Sequence, residues 1–268
     1  FINQMNVQWQ LAKKYLNYYF TAGNRHDVHS PFVYSMIEDV LRDKSQPADY
    51  KAVEQLRKDL LKSNETLQVT DLGAGSLMNA GNERAVRDIT RHAAKPPKFG
   101  QLFYRLIKYY QPKYLLELGT SMGLSTSYMA KAAAPDAKVY TIEGCPNIAA
   151  KAGKNFQSLG IRNITQRVGN FDHVLADVLD ELPQVDYVFI DGNHRSVPTL
   201  EYFEQCLAKA HDHSIFIFDD IHWTEDMEKA WKTIQDHPRV TFTIDLFFIG
   251  LVFFLPDMKI KQHFVLKY

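Results

Sequence analysis

The sequence predicts an α/β protein: a mostly parallel, seven-stranded sheet ending in an antiparallel hairpin, with helices on both faces and a helical N-terminal region. Three observations predict it. Residues 114–130, YLLELGTSMGLSTSYMA, read as strand, glycine turn and helix in direct succession, the order in which a parallel sheet meets a nucleotide-like ligand at a strand end. From Tyr114 onward, strand-length apolar runs alternate with helix-length segments, the texture of repeated βα units. The last two apolar runs are separated only by Ile249-Gly250, too short for a crossover, so they must run antiparallel.

In chain order, Val7, Leu11, Tyr15 and Tyr19 recur every fourth residue and give a first helix one apolar face. A polar stretch with Gly23, His26 and His29 breaks it, the two histidines being minor site candidates. Ser30-Pro31 then offers an N-cap and a first-turn proline to a second helix, whose stripe is Phe32, Val33, Met36, Ile37, Val40 and Leu41. A third helix is expected around 51–62. Strands are expected at 114–118, 138–142, 164–168, 187–190, 214–218, 240–247 and 251–255. Helices are expected at 125–134, 147–159, 172–182, 198–210 and 225–237. The domain boundary falls near 95, with 1–95 a helical lid or substrate region and 96–268 the cofactor-binding domain.

Composition narrows the function. A chain of 268 residues with 46% hydrophobic and 13% aromatic content can bury a sizeable core. Lys+Arg and Asp+Glu both total 31, which argues against nucleic acid as partner and for a small, roughly neutral substrate. No apolar run approaches the about 18 residues of a membrane span. Cys145 and Cys206 have neither CxxC nor zinc spacing, and read as two buried, reduced thiols. With no signal-like segment at Phe1, either nothing was secreted or a leader was already removed, and a cytoplasmic location is the default expectation.

Two glycine motifs compete for the cofactor. Asp71-Leu72-Gly73-Ala74-Gly75-Ser76 follows an apolar stretch, but no strand with a terminal acid comes after it. Glu117-Leu118-Gly119-Thr120-Ser121-Met122-Gly123 is followed by a helix, then Val139-Tyr140-Thr141-Ile142 and Glu143. The acid lies 143 − 119 = 24 residues past the glycine, near the roughly 20 at which a carboxylate meets a ribose. The second motif is therefore the expected cofactor site, with the first a glycine-rich loop of open role.

The stretch FGQLFYRLIKYYQPKYLLELGTSMGLSTSYMA, residues 99–130, resembles the catechol- and caffeoyl-CoA-type O-methyltransferase group of class I S-adenosylmethionine-dependent methyltransferases. The likeness continues weakly to Trp223. It implies a Rossmann-like sheet with S-adenosylmethionine at the glycine turn: Gly119 and Gly123 shape the turn, Glu117, Thr120 and Ser125 orient or contact the amino-acid end, and Glu143 accepts both ribose hydroxyls. Asn170 and Phe171 fall at the adenine position, where the group often has Gly-Asp. Asp191, which also borders the cofactor, Asp219 and Asp220 fall where metal-dependent members hold Mg²⁺ or another divalent cation. Asp220 stands where the group has Asn, adding charge. His194 aligns with a lysine near the acceptor hydroxyl and is the candidate general base, with Asp191 beside it on the catalytic face. His222 is a further candidate base or ligand. The implied reaction is methyl transfer to a small-molecule hydroxyl, with nitrogen or carbon acceptors as alternatives and a homodimer as one assembly left open.

Two other readings are weighed. A nicotinamide-dependent oxidoreductase would want the third glycine that is missing here, and its sheet would not end in the hairpin. A non-catalytic S-adenosylmethionine-binding sensor or scaffold would keep Glu143 and the glycine turn, with little need for Asp191, Asp219, Asp220 and His194.

Overall fold

The protein was analysed as a computed structural model, which describes residues 2–24, 30–70, 82–256, 258 and 260–268. The N-terminal helices are α1 (Ile2–Thr21), α2 (Pro31–Ser35) and α3 (Ala48–Lys62), with a π-helical stretch, Met36–Leu41, directly after α2. Two short strands follow, β1 (Thr66–Gln68) and β2 (Glu83–Ala85), then α4 (Val86–Ala93) and α5 (Pro97–Tyr110). The alternating region comprises β3 (Tyr114–Leu118), α6 (Leu124–Ala132), β4 (Lys138–Glu143), α7 (Pro146–Ser158), β5 (Ile164–Val168), α8 (Phe171–Glu181), β6 (Val185–Ile190), α9 (Ser196–Leu207), β7 (Ala210–Asp219) and α10 (Glu225–Asp236). The chain closes with β8 (Phe242–Asp245), β9 (Ile249–Phe253) and β10 (Gln262–Val265).

The fold is α/β and mostly parallel, as expected, and all seven expected strands are present. They fall into two compact units, Asp39–Pro183 and Phe1–Glu38 with Gln184–Tyr268. In the first, β3, β4 and β5 are adjacent and parallel, with Glu117 level with Thr141 and Glu143 level with Val168. Leu115, Leu116, Leu118, Val139 and Ile142 are buried there. Helix α5 presents Leu102, Phe103, Leu106 and Ile107 to the interior, and ends on Gln111 in the left-handed conformation, with φ 49°. Helix α3 carries Tyr50, whose ring meets Tyr104 and Tyr128 edge-on at 5.0 and 5.6 Å.

In the second unit, β6 and β7 are parallel while β9 pairs antiparallel with both β7 and β8. The expected hairpin is present, but it turns through 246–248, and Ile249-Gly250, expected as the connection, open β9 instead. An eighth sheet strand, β10, lies parallel to β8 and was not foreseen. Helix α1 joins this unit through an aromatic cluster: Tyr15 meets Phe247 at 5.0 Å and Phe248 at 5.7 Å, and Tyr18 meets Phe247 at 5.2 Å. Tyr18 also donates its hydroxyl hydrogen to the Leu266 carbonyl at 2.5 Å. Both cysteines are free and buried. Among the described residues no helix is long and apolar enough to cross a membrane.

Among the described residues, strands β1 and β2 pair only with each other, antiparallel. The apolar stretch before Asp71 is thus not a parallel sheet strand. The loop motif 71–76 itself, like His26 and His29, lies outside the described residues.

Candidate active site

Strand β3 runs into a turn built for close packing. Gly119 has φ 107° and Gly123 φ 76°, both in the region that favours glycine. A Cβ on Gly123 would stand 2.4 Å from the Phe156 ring. The turn is stitched to the end of β4 by three successive amides. Gly119 and Thr120 N–H donate to the Ile142 carbonyl at 3.0 and 3.2 Å, and Ser121 N–H donates to Glu143 Oε2 at 2.8 Å. From α7, Asn155 Nδ2 donates to the Met122 carbonyl at 2.9 Å.

Glu143 ends β4 half-buried, its other oxygen accepting from Cys145 N–H at 2.9 Å. Burial raises its pKa, partly countered by the backbone N–H groups of Cys145, Ser121 and Gly144. A carboxylate offers about four lone-pair sites, so the hydrogen bonds from Ser121 and Cys145 fix its orientation and leave acceptor capacity for a diol.

Glu117 is placed differently. It is 0% exposed, and its carboxylate accepts hydrogen bonds from Ser125 Oγ at 2.5 Å, from Thr126 Oγ1, and from Thr141 Oγ1 at 2.6 Å. Thr120, 1% exposed, meets Thr141 hydroxyl to hydroxyl at 2.6 Å. Burial pushes the Glu117 pKa up to about 7, against the pull of the three hydroxyls and with the help of nearby Glu143. Thr126 and Thr141 were not foreseen as members of this cluster. The signal available was a Ser-Thr pair opening the helix just after a strand-end acid.

After β5, Asn170 caps α8, its Oδ1 accepting from Asp172 N–H at 3.1 Å. Phe171 follows half-exposed.

The second candidate region lies at the carboxyl ends of β6 and β7. Asp191 follows β6 and His194 sits in the next turn, where Asn193 and His194 both take positive φ, 66° and 30°. That turn brings His194 Nε2 to 3.6 Å from Asp191 Oδ1. Asp219, the last residue of β7, is 2% exposed. One ligand atom from each of Asp191, His194 and Asp219 lies within 4.8 Å of the others. Two carboxylates and an imidazole suit a divalent ion. Asp220, expected as the third acid, is not in this group. Its backbone is left-handed at φ 51°, its N–H donates to the Phe248 carbonyl at 2.8 Å, and His194 takes the third place.

His222 is committed elsewhere. Its Nδ1 is 3.1 Å from Glu228 Oε1 and its Nε2 2.7 Å from Asp245 Oδ2, with its ring stacked on Phe247 at 5.2 Å. Burial lowers its pKa, but the two carboxylates outweigh burial and raise it overall. Glu228 is also paired with Lys14 of α1 at 2.8 Å. Beside this network a cleft of about 390 Å³ is lined by residues including Leu11, Lys14, His222, Trp223 and Lys229. Trp223 is 44% exposed.

The fold is shared with solved methyltransferase structures, O-methyltransferases among them. An O-methyltransferase of Streptomyces achromogenes involved in tomaymycin synthesis, in complex with S-adenosylmethionine, aligns over 83% of this chain and 95% of its own, with TM-score 0.57 and 18% identity. An O-methyltransferase from Bacillus cereus, in complex with S-adenosylhomocysteine, aligns over 83% and 97%, with TM-score 0.56 and 20% identity. Residues 116–221 match a family model described as a methyltransferase domain. Among curated relatives, catechol O-methyltransferase of Niastella koreensis is 32% identical over 127 residues, 47% of this chain and 57% of that protein. The catechol O-methyltransferase of Bos taurus is 30% identical over 113 residues, 41% of this chain and 42% of its own. The chain thus spans about half the length of the curated relatives it matches. With the family match confined to residues 116–221, the chain resembles the class I, S-adenosylmethionine-dependent O-methyltransferases.

Proposed function

We propose that the protein is an S-adenosylmethionine-dependent methyltransferase acting on a hydroxyl of a small molecule. The observation that carries the reading is Glu143, held by Ser121 and Cys145 amides at the end of β4 and tied through Ser121 to the glycine turn. A carboxylate oriented in this way, with acceptor sites left over, fits a ribose diol. The bound cofactor supplies an activated sulfonium methyl group. Gly119 and Gly123 let backbone lie close to its methionine end, and Phe171 offers a ring face to its adenine, with Asn170 beside it.

Asp191, His194 and Asp219 favour an enzyme over a sensor or scaffold, since binding alone needs no such cluster. Their donor set, two carboxylates and an imidazole, fits a divalent cation, which when bound would lower the pKa of an acceptor hydroxyl. In the absence of an ion, His194 takes the acceptor proton on its imidazole and Asp191 stabilises the charge that results. Asp220 then shapes the turn through its backbone. The cleft beside Trp223 suits a flat acceptor, with the indole as one wall.

Calorimetric titration with S-adenosylmethionine tests the reading. Binding is expected in the wild type and a loss of at least tenfold in Glu143→Ala, in line with lost charge-assisted hydrogen bonds worth about 1.5–3 kcal/mol each. No binding, or binding indifferent to Glu143→Ala, overturns it. An acceptor screen with and without a chelator separates the ion reading from the His194 base reading.

A further inference from the structure

Glu117, the acid that opens the glycine motif, cannot reach a ligand. It is fully enclosed, and its bonds go to Ser125 and Thr126 in the first turn of α6 and to Thr141 on β4. When Glu117 is ionised, Thr141 gives its only proton to it. The 2.6 Å contact between Thr141 and Thr120 then requires Thr120 to be the donor, since each hydroxyl has one hydrogen. A directed chain therefore runs from Thr120 through Thr141 to Glu117. Thr120 is the centre of the turn whose amides hold Ile142 and Glu143. One buried carboxylate thus fixes the start of α6, the end of β4 and the turn between them.

We propose that Glu117 is a positioning residue, acting through Thr141 and Thr120 to set the glycine turn and, through Ser121, the ribose acid Glu143. The inference rests on the reading above that this turn receives S-adenosylmethionine. A buried carboxylate with no cation partner among the described residues is a costly way to fill space. Three hydroxyl donors from two segments, α6 and β4, converge on it, and its removal leaves them without a common acceptor. The ionisable group that bears on it is Glu143 at the end of β4, whose negative charge opposes its ionisation, while Ser125 and Thr126 of α6 and Thr141 of β4 contribute hydroxyls.

The test is calorimetry with S-adenosylhomocysteine as probe, on wild type, Glu117→Gln, Thr141→Val and Thr141→Ser, with thermal melts to confirm folding. Thr141→Val is close to isosteric and cuts the chain, and should weaken binding about tenfold. Thr141→Ser restores the hydroxyl and should bind within about threefold of wild type. Wild-type affinity should rise with pH through neutrality as Glu117 ionises and becomes a full acceptor, and Glu117→Gln should flatten that dependence. A folded Thr141→Val that binds as wild type, or an equal pH dependence in folded Glu117→Gln, overturns the proposal. If Glu117→Gln does not fold, the Val and Ser pair decides. Failure of the underlying reading is distinguishable, because then wild type does not bind the probe or Glu143→Ala leaves its affinity unchanged.

Discussion

At the scale of the residue, Glu117 and Glu143 show how two strand-end acids acquire different tasks. Both were legible as acids of the motif, because position relative to a strand end and a glycine turn is a property of sequence spacing. Their surroundings were not legible. Whether a carboxylate faces solvent or three hydroxyls depends on how β4 and α6 pack around β3, and Thr126 and Thr141 look like ordinary helix and strand residues. The enclosure of Glu117 has a consequence for stability. Its folded pKa, about 7, lies above that of an exposed glutamate. The folded state therefore holds a proton that the unfolded chain releases between the two values. This contribution is fully present below the unfolded pKa and is lost as pH rises through about 7, at roughly 1.4 kcal/mol per unit of pKa difference. Urea midpoints measured from pH 5 to 8 should fall for the wild type and fall less for Glu117→Gln. Equal slopes would show that Glu117 does not titrate in this range. The ionised form that completes the hydroxyl chain is thus the less stable one, a trade of stability for a positioned site.

At the scale of the element, the strands and helices from Tyr114 to Asp236 were read to within a few residues, because each buries an apolar face with the right period. The misses have physical causes. β7 begins at Ala210 rather than Ser214, since its first residues, His211, Asp212 and His213, are partly or wholly exposed and carry no apolar signal. β10 has one sheet neighbour, β8, and alternates between half-buried and exposed positions, so its four residues resemble a loop. The Asp219-Asp220 pair looked like two ligands, yet adjacent residues at a strand end rarely point the same way, and the left-handed Asp220 passes the third place to His194. The glycine turn is the element on which most depends. In Gly123→Ala the new Cβ would meet Phe156 at 2.4 Å and hold φ 76°. Left-handed backbone costs about 1–2 kcal/mol for a residue with a Cβ, and overpacking adds about 1–3 kcal/mol. The melting temperature should drop by about 5 °C or more, at the roughly 2–4 °C per kcal/mol typical of this size. An unchanged melting temperature would mean that Phe156 yields and that the turn is not a tight constraint.

At the scale of the whole molecule, the candidate residues divide cleanly. Glu117, Gly119, Thr120, Gly123, Ser125, Glu143, Asn170 and Phe171 belong to the Asp39–Pro183 unit, and Asp191, His194, Asp219 and Asp220 to the other. A ligand that binds only the folded form protects the amides whose opening would release it, by up to RT ln(1 + [L]/Kd), about 2.7 kcal/mol at a hundredfold excess over Kd. S-Adenosylmethionine and Mg²⁺, added separately, should therefore leave different footprints in hydrogen exchange. The first should slow exchange at 119–123 and 143–145, where backbone amides hold the turn and the ribose acid, and at 170–172. The second should slow exchange at 191–194 and 219–223, where positive-φ turns carry the candidate ligands. Protection by S-adenosylmethionine that skips 143–145 would count against Glu143 as the ribose acid. No effect of Mg²⁺ on 191–194, together with an unchanged pattern in Asp219→Asn, would remove the cation from the mechanism and leave His194 to take the acceptor proton. Protection by Mg²⁺ that is lost both in Asp219→Asn and in His194→Gln would assign His194 to the ion instead, because a ring nitrogen bound to a cation cannot at the same time receive a proton.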